Sequence, residues 1–190
     1  VLINTTYSQW LKAALIGLTL LYPAAIYFGL QQIDPRYLAL LLIAVGVVRL
    51  LSIGESPLNH WLWLPLLCIL GLLTWLTNEA IALKLYPVLV SSSFLIVFAW
   101  SLRYPPTMIE RIARLKTPQL SPYLVNYTRI VTKVWCVFFA FNGSIALVTA
   151  LISSDRLWAL YNGFISYLLM ATLFVCEWLI RQRVIKNDND

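Results

Sequence analysis

The chain has 190 residues, 61% of them hydrophobic and only 12% charged, and its mean hydropathy is +0.78. Soluble domains run at about 45–50% apolar and about 25% charged, so a water-soluble fold would have nowhere to put this much apolar surface. The formal net charge is +6, but the cations gather on one set of loops, which points to membrane topology and anionic headgroups and not to nucleic acid.

A membrane-spanning helix needs about 20 apolar residues, and six such segments fit the chain. The expected fold is therefore all-α, a polytopic transmembrane helical bundle forming one membrane domain over residues 1–190. Span one runs over about 10–30 and contains Pro23, which predicts a kink near Tyr22-Pro23. It reads as a retained span, because no small-x-small cleavage site follows it. Asp34-Pro35 turns the chain into span two, about 37–53, with Pro35 in the first helical turn. Span three covers about 61–77, with Trp61 and Trp63 at one end and Trp75 at the other as an aromatic belt.

Asn78 and Glu79 begin a tight turn into span four, about 80–102, where Lys84 reads as a solvated charge near the turn. The connection over 103–126 is the longest polar segment. In it Met108, Ile109, Ile112 and Leu115 recur at three- and four-residue steps, predicting one short amphipathic helix lying on the membrane with its bases outward. Span five follows at about 127–152 and span six at about 157–180. The tail from Arg181 to Asp190 reads as polar and frayed.

Orientation follows from lysine and arginine placement. Lys12, Arg49, Arg103, Arg111, Arg114, Lys116, Arg129, Lys133, Arg181, Arg183 and Lys186 fall on one side under this layout, against Arg36, Lys84 and Arg156 on the other. That bias places the first set, and both termini, in the cytoplasm. The alternative is five spans plus a re-entrant first segment, which would move the N-terminus outside.

Cys68, Cys136 and Cys176 lie in apolar runs without a CxxC spacing, and the single histidine, His60, sits beside Trp61. They read as buried hydrophobes and an interfacial residue, so no metal and no cofactor is expected. Glu177 is the strongest functional residue by cost, since an ionisable group within a span demands a partner or a purpose. Arg181 follows it at i+4, and Arg129 or Lys133 could reach it across the helix pair. Asn142-Gly143 and Asn162-Gly163 suit helix packing, with a polar pocket between spans five and six as the alternative. That pocket would be lined by Asn142, Asn162, Glu177 and Arg129. Arg111, Arg114, Lys116 and Lys133 are the residues for docking lipid or a partner. Ser91-Ser92-Ser93 lacks a base at reachable spacing and reads as a helix contact, and no catalytic residue is assigned.

Tyr104-Pro105-Pro106-Thr107-Met108-Ile109-Glu110-Arg111, the stretch from Trp135 to Ala146, and Tyr161-Asn162-Gly163-Phe164-Ile165-Ser166-Tyr167 resemble the bacterial intracellular septation protein A family. The resemblance extends to Leu21-Tyr22-Pro23 through Asp34 and to Asn78-Glu79 with Lys84, and so spans most of the chain. Tyr127-Thr128-Arg129 and Phe139 to Asn142, with Tyr161 to Tyr167, are closer to a branch encoded beside aryl polyene or fatty-acid-like synthesis genes in Gram-negative bacteria. What the resemblance implies is an inner-membrane location and a role in envelope or septum biology.

The resulting expectation is a non-enzymatic accessory membrane protein that meets membrane lipids and envelope-synthesis proteins and no nucleic acid. A lipid or precursor transporter is the alternative, and a membrane-embedded acyl transferase comes third. Gly46, Gly71 and Gly143 would serve intramolecular packing or the seam of a homo-oligomer equally well.

Overall fold

A computed structural model describes Pro23 and residues 25–29, 31–35, 37, 38, 40, 71–76 and 79–189. Expected spans two and three, most of span one and the residues Lys12, Tyr22, Gly46, Arg49, His60, Trp61, Trp63 and Cys68 lie largely or wholly outside them. The described residues form helices and turns, with no strand among them.

From residue 81 onward the elements are α1 (Ile81–Lys84), α2 (Tyr86–Arg103), α3 (Met108–Arg114), α4 (Pro122–Ile152), α5 (Asp155–Leu160), a π-helical turn (Tyr161–Ile165) and α6 (Ser166–Asn189). Among the described residues three helical runs are long and apolar enough to cross a membrane: Ile81–Arg103, Pro122–Ile152 and Asp155–Lys186. The shortest, at 23 residues, extends about 35 Å at 1.5 Å per residue and matches a hydrocarbon core of about 30 Å.

The chain divides into two compact units, Val1–Tyr86 with Thr149–Gly163 and Pro87–Val148 with Phe164–Asp190. In the first, residues 25–29 are helical and the chain turns at 31–34 before Pro35 opens the next helix. The turn is closed by the Ile33 and Gln32 amides, which donate to the Gly29 carbonyl at 2.8 and 3.0 Å. Glycine lets Leu38 pack close there, since a Cβ at position 29 would lie 2.6 Å from Leu38 Cδ2 and the leucine side chain would have to shift.

The core of the second unit is aromatic. Phe98, Val131, Trp135 and Phe139 are buried together. Phe94 stacks on Phe139 with centroids 5.2 Å apart, and Trp135 meets Phe174 at 4.6 Å. Such ring contacts add a shape-specific attraction between the helices beyond the area they bury. Much of the rest of α6 is uncovered, with Leu168, Val175, Trp178 and Ile180 all at least half exposed. An apolar face of that extent is stable against lipid and not against water.

Several boundaries differ from the sequence reading. The helix that holds the fifth expected span starts at Pro122, ahead of 127, because Ser121 Oγ accepts from the Leu124 amide at 3.2 Å and proline fits the first helical position. The C-terminal segment is helical through Asn189 instead of frayed. An i,i+4 contact of Arg181 Nε with Glu177 at 3.7 Å and a Ser121 Oγ donation to Asp188 Oδ1 at 2.6 Å hold it. Cys136 is half-buried, but Cys176 is exposed rather than buried.

Candidate functional site

The segment between α2 and α4 is ordered from within. Thr107 Oγ1 accepts from the Glu110 amide while Glu110 Oε2 accepts from the Thr107 amide, closing a capping box at the start of α3. Ser101 Oγ accepts from the Met108 amide at 2.9 Å and donates to the Phe98 carbonyl, tying α3 to the end of α2. Met108 and Ile109 pack against the aromatic core, whereas Ile112 and Leu115 are 52% and 87% exposed. The expected apolar stripe is therefore split between the protein interior and the outside.

The cations of this segment are not equivalent. Arg114 Nε and Nη2 donate to Glu110 Oε1 at 2.9 and 2.7 Å, and Nη1 donates to the Pro118 carbonyl. Arg114 thus braces its own loop, and Arg111 Nε is engaged by the Pro106 carbonyl at 3.0 Å. By contrast Lys116, Arg129, Lys133, Arg183 and Lys186 are exposed and meet no carboxylate among the described residues. They gather at one end of the second unit, where the N-terminal part of α4 meets the C-terminal part of α6 through Tyr127 and Glu177 and through Ser121 and Asp188.

Glu177 is reached by neither Arg129 nor Lys133. Its Oε1 lies 3.3 Å from the Tyr127 hydroxyl, which has the Glu177 carbonyl at the same distance as a second acceptor, and Arg181 completes its surroundings. Asn142 turns toward α2, where its Nδ2 donates to Ser91 Oγ at 3.1 Å. Beside it a Cβ on Gly143 would stand 3.1 Å from Ser91 Cβ. This is a close helix crossing that a small residue permits and an amide locks, and it gives Ser91 a packing role. Asn142 and Arg129 are 13 positions apart on α4, about 20 Å at the helical rise. They therefore do not line one pocket.

Asn162 belongs to the first unit and has its own surroundings. It is 3% exposed and lies in the π-helical turn, a local widening that often marks a functional position. Its Nδ2 donates to the Trp158 carbonyl at 2.9 Å and to Thr149 Oγ1 at 3.2 Å, while its Oδ1 is buried with no donor among the described residues. One turn earlier the Trp158 indole N–H donates to the Lys84 carbonyl at 3.1 Å, and Lys84 Nζ pairs with Asp155. The Lys84 side chain is only 13% exposed, so it is not the solvated charge that its place near a polar turn implied. Asp155, 71 positions further along, supplies its counter-charge.

The four pocket residues are thus held by different partner sets, Asn142 by Ser91, Asn162 by Trp158 and Thr149, and Glu177 by Tyr127 and Arg181, with Arg129 outside them all. Sequence reasoning missed Thr107, Tyr127, Thr149 and Trp158. Of these only Thr107 carried a local signal, the Thr-x-x-Glu capping pattern. Among the described residues no group of histidine, cysteine, aspartate or glutamate could hold a metal ion. No family model matches the chain, and neither does any curated protein or solved structure.

Proposed function

We propose that the chain is a multi-pass inner-membrane protein with six spans and both termini cytoplasmic, acting as a non-enzymatic accessory in envelope biogenesis by gathering anionic lipid headgroups at its basic end. The resemblance to the septation-protein family and its aryl polyene branch supplies the envelope context. The observation that carries the docking role is the set of exposed cations without carboxylates, Lys116, Arg129, Lys133, Arg183 and Lys186. Each base close to an anionic leaflet contributes about 1 kcal/mol of attraction, so five together form a substantial anchor for acidic headgroups.

Helix length supports the placement. From Val134 to Ile152, α4 is uninterrupted by charge and extends about 28 Å, close to one hydrocarbon thickness. Lys133 then falls at headgroup level, with Arg129 one turn further out. Ile112 and Leu115 are exposed alongside Lys116, the pairing of apolar and basic groups that suits the interface.

Native mass spectrometry of the purified chain tests this reading. The protein is expected to retain phosphatidylglycerol over phosphatidylcholine, and the combined K116Q, R129Q, K133Q, R183Q and K186Q variant is expected to lose that preference. Equal retention by both proteins would refute lipid gathering and turn attention to a protein partner. Arg114 is left unchanged, since its loss would disturb the loop itself. One observation favours lipid or precursor handling as a second reading, the unsatisfied oxygen of Asn162.

A further inference from the structure

The amide of Asn162 has a defined orientation. The Trp158 carbonyl can only accept, so the NH2 group must face it, and a flipped amide would set two oxygens against each other. Thr149 Oγ1 takes the second N–H at 3.2 Å. Both donors are therefore spent, and Oδ1 is left as a buried acceptor. An acceptor in that state carries the full cost of its lost hydration, the more so where the surroundings exclude water.

A leucine at this position would avoid that cost, and polar groups within spans are expensive enough that an unfilled one calls for an occupant. The neighbourhood states what the occupant is. Lys84 and Asp155 pair with each other, and Trp158, whose carbonyl holds the Asn162 amide, is fully buried. Such surroundings disfavour a charged guest. A neutral donor fits, and the one remaining requirement is a hydrogen directed at Oδ1. Depth adds a limit. Asn162 is seven positions beyond Asp155 along the chain, about 10 Å at the helical rise, within reach of the interfacial layer at that end.

We propose that Asn162 is a binding site for a neutral O–H donor, an ordered water or the hydroxyl of a lipid headgroup, held at Oδ1 within the π-helical turn. The site is independent of the basic end, so it stands or falls separately from the docking reading. Trp158 and Thr149 are its positioning residues: they hold the NH2 group and thereby aim the oxygen.

The test uses the full, unaltered chain in bilayers, with no variant that could fail to fold. Tyr161-Asn162 is the one Tyr-Asn step in the sequence, so carbonyl-labelled tyrosine combined with labelled asparagine assigns this amide uniquely by solid-state NMR. Polarisation transfer from nearby protons to the Asn162 side-chain carbon is then measured in pure phosphatidylcholine, which carries no O–H donor, and again with phosphatidylglycerol added. Transfer from water in pure phosphatidylcholine identifies an ordered water. Transfer from the non-exchangeable glycerol C–H protons, seen only after phosphatidylglycerol is added, identifies the headgroup hydroxyl. Transfer from neither, or from a side chain of the protein alone, overturns the proposal.

Discussion

Asn142 and Asn162 each precede a glycine, and each is buried in apolar helix, 6% and 3% exposed, yet the two regions use the same dipeptide differently. At Asn142 the partner is a hydroxyl on another helix, Ser91, and Gly143 brings that helix close. At Asn162 the amide spends both hydrogens within its own unit and leaves its oxygen over. Residue type therefore does not separate the two amides; their partners do.

Gly143→Leu should have the largest effect, because Ser91 leaves no room for a branched side chain. A loss of about 2 kcal/mol is expected, within the usual range for overpacking, read as reduced resistance to chemical unfolding in mild detergent. An unchanged midpoint would show that the two helices do not cross at Ser91. Asn162→Leu should lose about 1 kcal/mol in bilayers, since it removes two donated bonds and the guest together. A gain in stability there would mean that the oxygen is unfilled and merely costly.

Ser91→Ala should cost less, about 0.6 kcal/mol, the average of a single bond between membrane helices. If it matched Gly143→Leu, the amide and not the close approach would dominate the crossing. The smallest effect is expected for Asp155→Asn. Asp155 is half exposed, and ion pairs with an exposed partner often contribute only about 0.3 kcal/mol and weaken with salt. Its value is diagnostic: a shift in the Asn162 side-chain carbon signal in this variant would tie the ion pair to the Trp158 support beneath the site.

Much of the helical layout was legible from hydropathy alone. The run Ile81–Arg103 and the two later runs fall on the fourth, fifth and sixth apolar segments, because a 20-residue apolar stretch has few other fates. Boundaries were less legible where they rest on one side chain. Ser121 and Pro122 start α4 in a stretch whose polarity resembled a loop, and Ser121 also holds Asp188 at the far end of α6. The site was least legible. That Arg114 belongs to Glu110 follows from i,i+4 spacing and could have been read. The pairings of Lys84 with Asp155, Tyr127 with Glu177 and Asn142 with Ser91 could not, because they join residues 50 or more positions apart and no local pattern encodes them.

The most direct test of the central claim, a membrane-spanning chain with its basic end in the cytoplasm, is sided cysteine labelling. In a chain with Cys68, Cys136 and Cys176 changed to serine, Lys116→Cys and Arg156→Cys are each exposed to an impermeant thiol reagent in right-side-out spheroplasts and in inside-out vesicles. Labelling at position 116 only in inside-out vesicles, and at position 156 only in spheroplasts, is the predicted result. Labelling of both positions from the same side, or of position 116 from the outside, would contradict it.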